Sequence, residues 1–469
     1  MKLNIRNSFL IAAALCSAGA AADDFNVTPG GLQDILGSVS GPQLTLAGEI
    51  DARDLSLMRS LPEGVTSLDL SATSVKSFSS KTPEFFGRTF FADNELPEYC
   101  FFASGLSKVV LPAGIVRIPQ ATFAGAAVTE IVIPEGVTEI GDYAFYDCKN
   151  LRSVSFPSSL KKIGRSAFAN CPSLVDADLS ATLLTLIPDN AFAGDASLKT
   201  MTLPASVTEI GREAFRGTAI QLLSLDGVET LQPYALSGMH QLKAISINGV
   251  VKAGEGALMD NPNLITISGS LDNVPDLFAA NCGMLDPSIV LAGAQNVGDY
   301  ALANSSASEL VLGSGITSLG AGVFLNLSSL DKIEAQDLRD NIPAVTADTF
   351  AGIDRPSVKL HVSDDAYEAW KADPEWGQFQ VVSDIHTGVD DAVAEADDIL
   401  VRLNGEVLTV VAPEPITSLD IFSLDGRLLY ATTPGTSALN LDLSGVETGD
   451  VLLVSVIAGD SRKAAKLMR

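Results

Sequence analysis

The chain is short of the side chains that most chemistry is built from: three histidines, five cysteines and two tryptophans among 469 residues. His240, His361 and His386 lie too far apart along a repeating chain to form a proton-transfer or metal site with one another. No G-x-S-x-G, H-E-x-x-H, phosphate-loop or EF-hand pattern is present. The acid pairs at 390–391 and 397–398 lack the alternating spacing of a calcium loop and read as solvated linker. Positive charge is scarce too: 30 Lys and Arg stand against 57 Asp and Glu, a formal net charge of −27. That field repels nucleic acid and anionic membrane. Beyond the first residues no run reaches the ~18 apolar positions that a membrane-spanning helix needs, and 451–458 is far too short. These shortages predict no catalysis, no cofactor, no metal and no nucleic-acid partner.

What the chain does have is repetition. The pattern V/L-x-x-I-G-x-x-A-F, a polar turn, then L-x-x-V/I-x-I/L/F returns along most of its length. Its anchor slot is filled by Phe101, Phe123, Phe145, Phe168, Phe192 and Phe215, then Leu236, Leu258, Phe278, Leu302, Phe324 and Phe350. Successive anchors are about 20 to 26 residues apart, the period of a leucine-rich solenoid. One unit cannot hide its own apolar side, so units must stack, and about twelve rungs at roughly 4.8 Å make a curved rod of roughly 55–60 Å. Leu in place of Phe at 236, 258 and 302, and a one-residue slip of the second ridge near 270–274, predict a less regular stretch there.

The segments IPEGVTEIGDYAF (133–145), LRSVSFP (151–157) with LKKIGRSAF (160–168), and LPASVTEIGREAF (203–215) resemble the BspA-like leucine-rich repeat proteins of bacterial surfaces. VKLHVSDDAYEAW (358–370) with Trp376 resembles the segment that closes such arrays. The resemblance implies a mainly β solenoid with short helical turns and a role in binding extracellular or host proteins.

Around this array the chain divides further. Residues 1–22, with Lys2, Arg6, an apolar run from Phe9 and small residues up to Ala22, read as a secretory signal peptide cut after Ala20 or Ala22. Leu15 before Cys16 argues against a lipidation site. Residues 23–98 are expected to cap the first rung and to include an irregular first repeat, with short helices near 29–37 and 51–61, strands at 44–46 and 68–70, the second able to start the stack, and Phe85, Phe86, Phe90 and Phe91 packed onto the cap. Repeats fill 99–383, and Tyr367, Trp370, Trp376 and Phe379 are expected to seal their end. Residues 384–398 read as an acidic linker.

From 399 to 469 the pattern alternates with period two, which predicts a small antiparallel β-sandwich with a tight hairpin at Asp425-Gly426. This tail resembles the type A carboxy-terminal sorting domain of the type IX secretion system, on 421–429, on 449–456 and on the basic end with Lys463, Lys466 and Arg469. It departs from that family where Asp450-Val451-Leu452 lacks the usual aromatic. The resemblance implies contact with secretion machinery and passage to the outer surface. Cys148 and Cys171, each three residues past an anchor, stack in adjacent rungs. A disulfide and a pair of buried thiols both fit, the thiols better, because Cys is a common small hydrophobe at such a bend.

One column of the strand after each turn points outward: Val110, Val132, Ser155, Asp178, Thr202, Ser224, Ser246 and Ser268. Flanked by Lys108, Glu130, Arg152, Lys199 and Lys243, it forms a hydroxyl-rich ribbon suited to many weak contacts with a protein, and it lacks the stacked aromatics of a sugar platform. The leading expectation is a secreted or outer-surface, adhesin-like binding protein. The alternative is a non-catalytic envelope protein that uses the solenoid as a spacer or assembly module.

Overall fold

The computed structural model describes residues 22–83, 87–339, 341–383, 399–404, 407–412, 414–423, 427–443, 451–459 and 461–468. The signal segment, Phe85 and Phe86, the linker and the Asp425-Gly426 turn lie outside the described residues. The expected solenoid is present as short parallel strands, one per rung, in matched register: Glu130–Val132 pairs with Ser153–Ser155, and Leu222–Ser224 with Ala244–Ser246. A second ridge runs alongside, with Glu139–Ile140 between Arg117–Ile118 and Lys162–Ile163. Strands of three and two residues fit the sequence, because each rung supplies only one or two inward side chains before a turn.

Between the ridges the anchors stack. Phe101, Phe123, Phe145, Phe168, Phe192 and Phe215 form a file with successive centroids 4.8, 5.1, 5.0, 5.4 and 5.8 Å apart and planes nearly parallel. The spacing follows from the rungs, since each ring rides on the turn of its own rung, held at the spacing of the paired strands on either side. Left-handed residues bracket the anchors of this file, as Tyr143 and Asp147 do around Phe145 (φ 57° and 58°). The I-G glycine serves close approach: a Cβ on Gly141 would lie 2.7 Å from Gln120 N, and one on Gly211 2.6 Å from Asp189 N.

In the irregular stretch the aromatic has slipped and the ridge has not. Asn273–Val274 pairs in register with Asn296–Val297. Leu258 N donates to Phe278 O just as Phe192 N donates to Ala214 O, while Ala279 N donates to Ala301 O. Phe278 therefore holds the place of the alanine in A-F, and Ala279 stands in the anchor slot. Counting from the ridge would have found this: Val274 precedes Ala279 by the same interval that separates Ile140 from Phe145 and Ile210 from Phe215. Just beyond, the outward strand gives way to a helix, Pro287–Leu291, started by Pro287 and capped by Asp286 Oδ1 accepting from Ser288 N.

The segment expected as an N-terminal cap with an irregular first repeat continues the stack beyond the 68–70 strand. Ala22–Val27, Gln43–Ile50 and Ser67–Val75 pair in parallel with one another, and Ser67 to Asp69 pair with Lys108 to Val110. Longer strands replace the repeat motif here, so the period is hidden while the winding is unchanged. The helix expected over 51–61 is only Ala52–Leu55. Its buried Asp54 accepts from Gly30 N, Leu32 N and Asp51 N, tying two rungs together. At the other end Trp370 and Trp376 are fully buried and donate to Arg339 O (2.7 Å) and Pro343 O (3.0 Å), as a sealed last rung requires.

The tail forms two antiparallel sheets. Leu400–Asn404, Val407–Val411 and Ala438–Asp442 make one. Leu428–Thr432, Ile416–Ser423, Val451–Ala458 and Ser461–Met468 make the other. They enclose a hydrophobic core of their own around Leu419, Ile421, Val454 and Val456, separate from the solenoid core.

Candidate interaction face

The outward sheet face is exposed over its first half. Lys108, Glu130, Arg152, Ser155, Asp178, Lys199, Thr202 and Ser224 all lie open to solvent. Val132 is 63% exposed and sets an apolar step between Glu130 and Ser155. The strands alternate as the pleat demands: Ile131, Ala177 and Leu223 point inward while their neighbours point out. Beside this face the second ridge carries a ladder of opposite charges, Arg117, Glu139 and Lys162, with Lys162 Nζ 3.1 Å from Glu139 Oε1. Exposed pairs of this kind contribute little to stability, ~0–1 kcal/mol each, and mainly set the local potential.

Past Ser224 the expected column fails. Ser246 is 0% exposed and Ser268 3%, and every residue of Ala244–Ser246 and Thr266–Ser268 is buried. Lys243, beside them, is half-buried. The strands have not turned over, since Ile245 and Ile267 remain in the solenoid core. The C-terminal sandwich lies against this part of the face: Thr266 to Ser270 share a cavity of about 430 Å³ with Phe422, Leu453, Ser455 and Ala464. A second cavity of about 290 Å³ lies between Asp286, Glu309 and Asp331 on one side and Arg462 and Lys463 on the other. Burial holds the Asp286 carboxyl above its ordinary range, offset by its Ser288 hydrogen bonds and the Lys463 cation. Burial likewise lowers the Arg462 guanidinium, with Asp286 acting the other way. Period-two reading of one strand cannot reveal a cover supplied by residues nearly two hundred positions away.

Inside the rungs, the column three residues past each anchor is more polar than expected. Cys148 and Cys171 are free and buried, and each thiol donates to the carbonyl of the anchor one rung back, Phe123 O (3.0 Å) and Phe145 O (3.1 Å). Cys282 does the same toward Leu258 O (3.2 Å), and burial pushes its thiol up to about 12. In the same column Asn261 Oδ1 accepts from Met239 N (2.7 Å), while Nδ2 donates to Leu236 O (3.0 Å) and Leu258 O (2.7 Å). Asp195 copies half of this: Oδ1 accepts from Cys171 N (2.7 Å), and buried Oδ2 has no partner. Burial raises its carboxyl well above the ordinary range. The sequence reading singled out only the two cysteines of this column, although the spacing that found them also finds Asp195 and Asn261.

Among the described residues no group of three or more His, Cys, Asp or Glu could hold a metal ion. His240 is exposed at a turn, and His361 sits beside Glu334 in the closing strands.

A coil of parallel strands stacked rung on rung, with a stacked hydrophobic file inside it, defines a leucine-rich repeat solenoid. Residues 94–221, 182–286, 218–331 and 265–362 match the BspA type Leucine rich repeat region, together more than half of the chain, and the protein belongs to this family. Among solved structures it is similar to a leucine-rich repeat protein from Bacteroides ovatus, at 20% identity and a TM-score of 0.50, over 73% of this chain and 87% of that one. It also matches the pneumococcal vaccine antigen PcpA (17% identity, TM-score 0.36, 77% of this chain and 84% of that one). A leucine rich cell surface protein from Faecalibacterium prausnitzii matches at 21% identity and a TM-score of 0.27, over 55% and 85% of the two chains. No curated protein matches the chain.

Proposed function

We propose that this is a secreted or cell-surface, non-catalytic binding protein whose open sheet strip engages extracellular or host proteins. The observation that carries the reading is the continuous exposed ribbon from Lys108 to Ser224, rigidly spaced by the rungs beneath it and mixed in charge, hydroxyl and apolar character. Such a surface recognises by summing modest contacts along its length. Membership of the BspA-type family, and the description of one solved relative as a cell surface protein, support the location. The C-terminal sandwich, on its resemblance to type IX sorting domains, would direct export and contact the secretion machinery.

The test is a binding screen of the mature chain against immobilised extracellular proteins, repeated with Glu130→Lys, Ser155→Glu and Asp178→Lys combined. Affinity for a captured ligand is expected to fall at least about tenfold, since charge is inverted at Glu130 and Asp178 and a new negative charge is placed at Ser155 between them. Self-association in sedimentation with no heterologous ligand would overturn the proposal in favour of a structural envelope role.

A further inference from the structure

We propose that the second half of the outward sheet, from Ala244–Ser246 to Glu309–Val311, is a seat for a basic, small-residue β-hairpin, occupied by the chain's own strands Val451–Ala458 and Ser461–Met468, whose departure would open it. The proposal deepens the binding-face reading and rests on it for its biological use, but the seat itself is a matter of geometry.

Four observations carry it. First, two successive strands that keep the solenoid register lose all outward exposure, whereas Ser155, Thr202 and Ser224 in the same column are open. Second, beside Phe422, Leu453 and Val454 the hairpin brings the small side chains of Ser455, Ala464 and Ala465 to the cavity, opposite Thr266, Ser268 and Gly269. Third, charge is complementary: Asp286, Glu309 and Asp331 gather opposite Arg462 and Lys463, in a chain whose net charge of −27 makes local positive charge rare. Fourth, the fit is that of a dock and not of a shared core. The two hydrophobic cores are separate, gaps of about 290 and 430 Å³ remain between the partners, and buried Ser268 Oγ has no hydrogen-bond partner. A fused interior packs with few voids of that size and satisfies its hydroxyls. The candidate binding ribbon is therefore open over one half and covered by the protein itself over the other.

Thiol labelling of the full chain tests this without any ligand. The four native cysteines of the described residues are buried and serve as a silent background. Ser268→Cys is expected to react with a maleimide about 100-fold more slowly than Ser224→Cys, as a site that must open before it reacts. Adding Ala464→Arg, which wedges a large cation into the small-residue contact, should bring the Ser268→Cys rate to within about threefold of the Ser224→Cys rate. So should proteolysis at a cleavage sequence placed in 384–398, once the sandwich has been separated by size exclusion. Equal rates at the two cysteines in the intact chain would overturn the proposal. So would a slow Ser268→Cys that stays slow after the sandwich is gone. A slow rate that accelerates on dilution of the protein would assign the seat to a second copy's hairpin and overturn the intramolecular form. Failure of the ligand screen with Ser268→Cys still protected would count against the binding reading and leave the seat standing.

Discussion

At the scale of single residues, Asp195 has the most specific chemistry in the molecule. Asn261 shows what its slot requires: one atom that accepts from the rung behind and one that donates to anchor carbonyls. An ionised carboxylate meets only the first requirement, and a neutral carboxylic acid meets both. Burial raises the Asp195 carboxyl and only the Cys171 backbone N–H acts the other way, with no cation among the groups that act on it. The sign follows. A carboxyl whose folded pKa lies above its unfolded value gives stability that is complete below the unfolded value, near ~4, and is lost as pH rises toward the folded value. Asp195→Asn should remove that loss and stabilise the chain at neutral pH by about 1–3 kcal/mol, the cost of a buried polar group left unpaired. Denaturant titrations of the two chains at pH 4.5 and pH 7.5 check it; a gain that is the same at both would refute the argument. Phe168 behaves differently because its ring lies between two others. Phe168→Ala should cost about 3–5 kcal/mol at any pH, read by the same titrations.

At the scale of elements, most of the solenoid was legible because its signal is repeated. Twelve weak statements about where a large side chain falls become one strong statement about a coil. Where repetition lapses, legibility fails for identifiable reasons. Phe278 misled because an aromatic is a louder signal than the ridge Asn273–Val274, which actually holds the register. Of the first three strands, the one through 68–70 was legible as a possible start of the stack and the two before it were not legible as rungs, because longer strands with Asp54 ties stand where I-G and A-F come later. The helix Pro287–Leu291 was foreseen only as irregularity, although Asp286-Pro287 is a plain start signal. An element-scale test follows from the slip: Phe278→Ala alone should destabilise by about 3–5 kcal/mol, and adding Ala279→Phe should recover part of that by restoring the A-F order. No recovery in the double variant would mean that the neighbouring Leu258 and Leu302 rungs have closed over the slot.

At the scale of the whole molecule, the exposure of the candidate face was half legible. Its open half follows from strand alternation alone. Its covered half depends on a separate sandwich returning to the rod, which no local pattern encodes. If binding is distributed along the open strip, single truncations such as Ser155→Ala or Thr202→Ala should each weaken a captured ligand by less than about threefold, while all eight open candidate positions together abolish capture. One substitution that removed all affinity would instead reveal a localised hot spot. Mass spectrometry of the protein recovered from its producing cells and their medium decides the fate of 399–469, and a chain that has lost this segment should have an open Ser268 column.

The matched parallel register of the rungs also makes reach an adjustable property. Residues 141–163 begin just after one ridge isoleucine and end on the next, so a tandem copy of them would enter the stack as one more whole coil. Each such copy should lengthen the uncovered ribbon by about 4.8 Å while leaving the tryptophan plug and the sandwich seat in their existing relation. Lineages built on this plan could thus change how far they extend from a surface by duplication alone, with no new contact to invent.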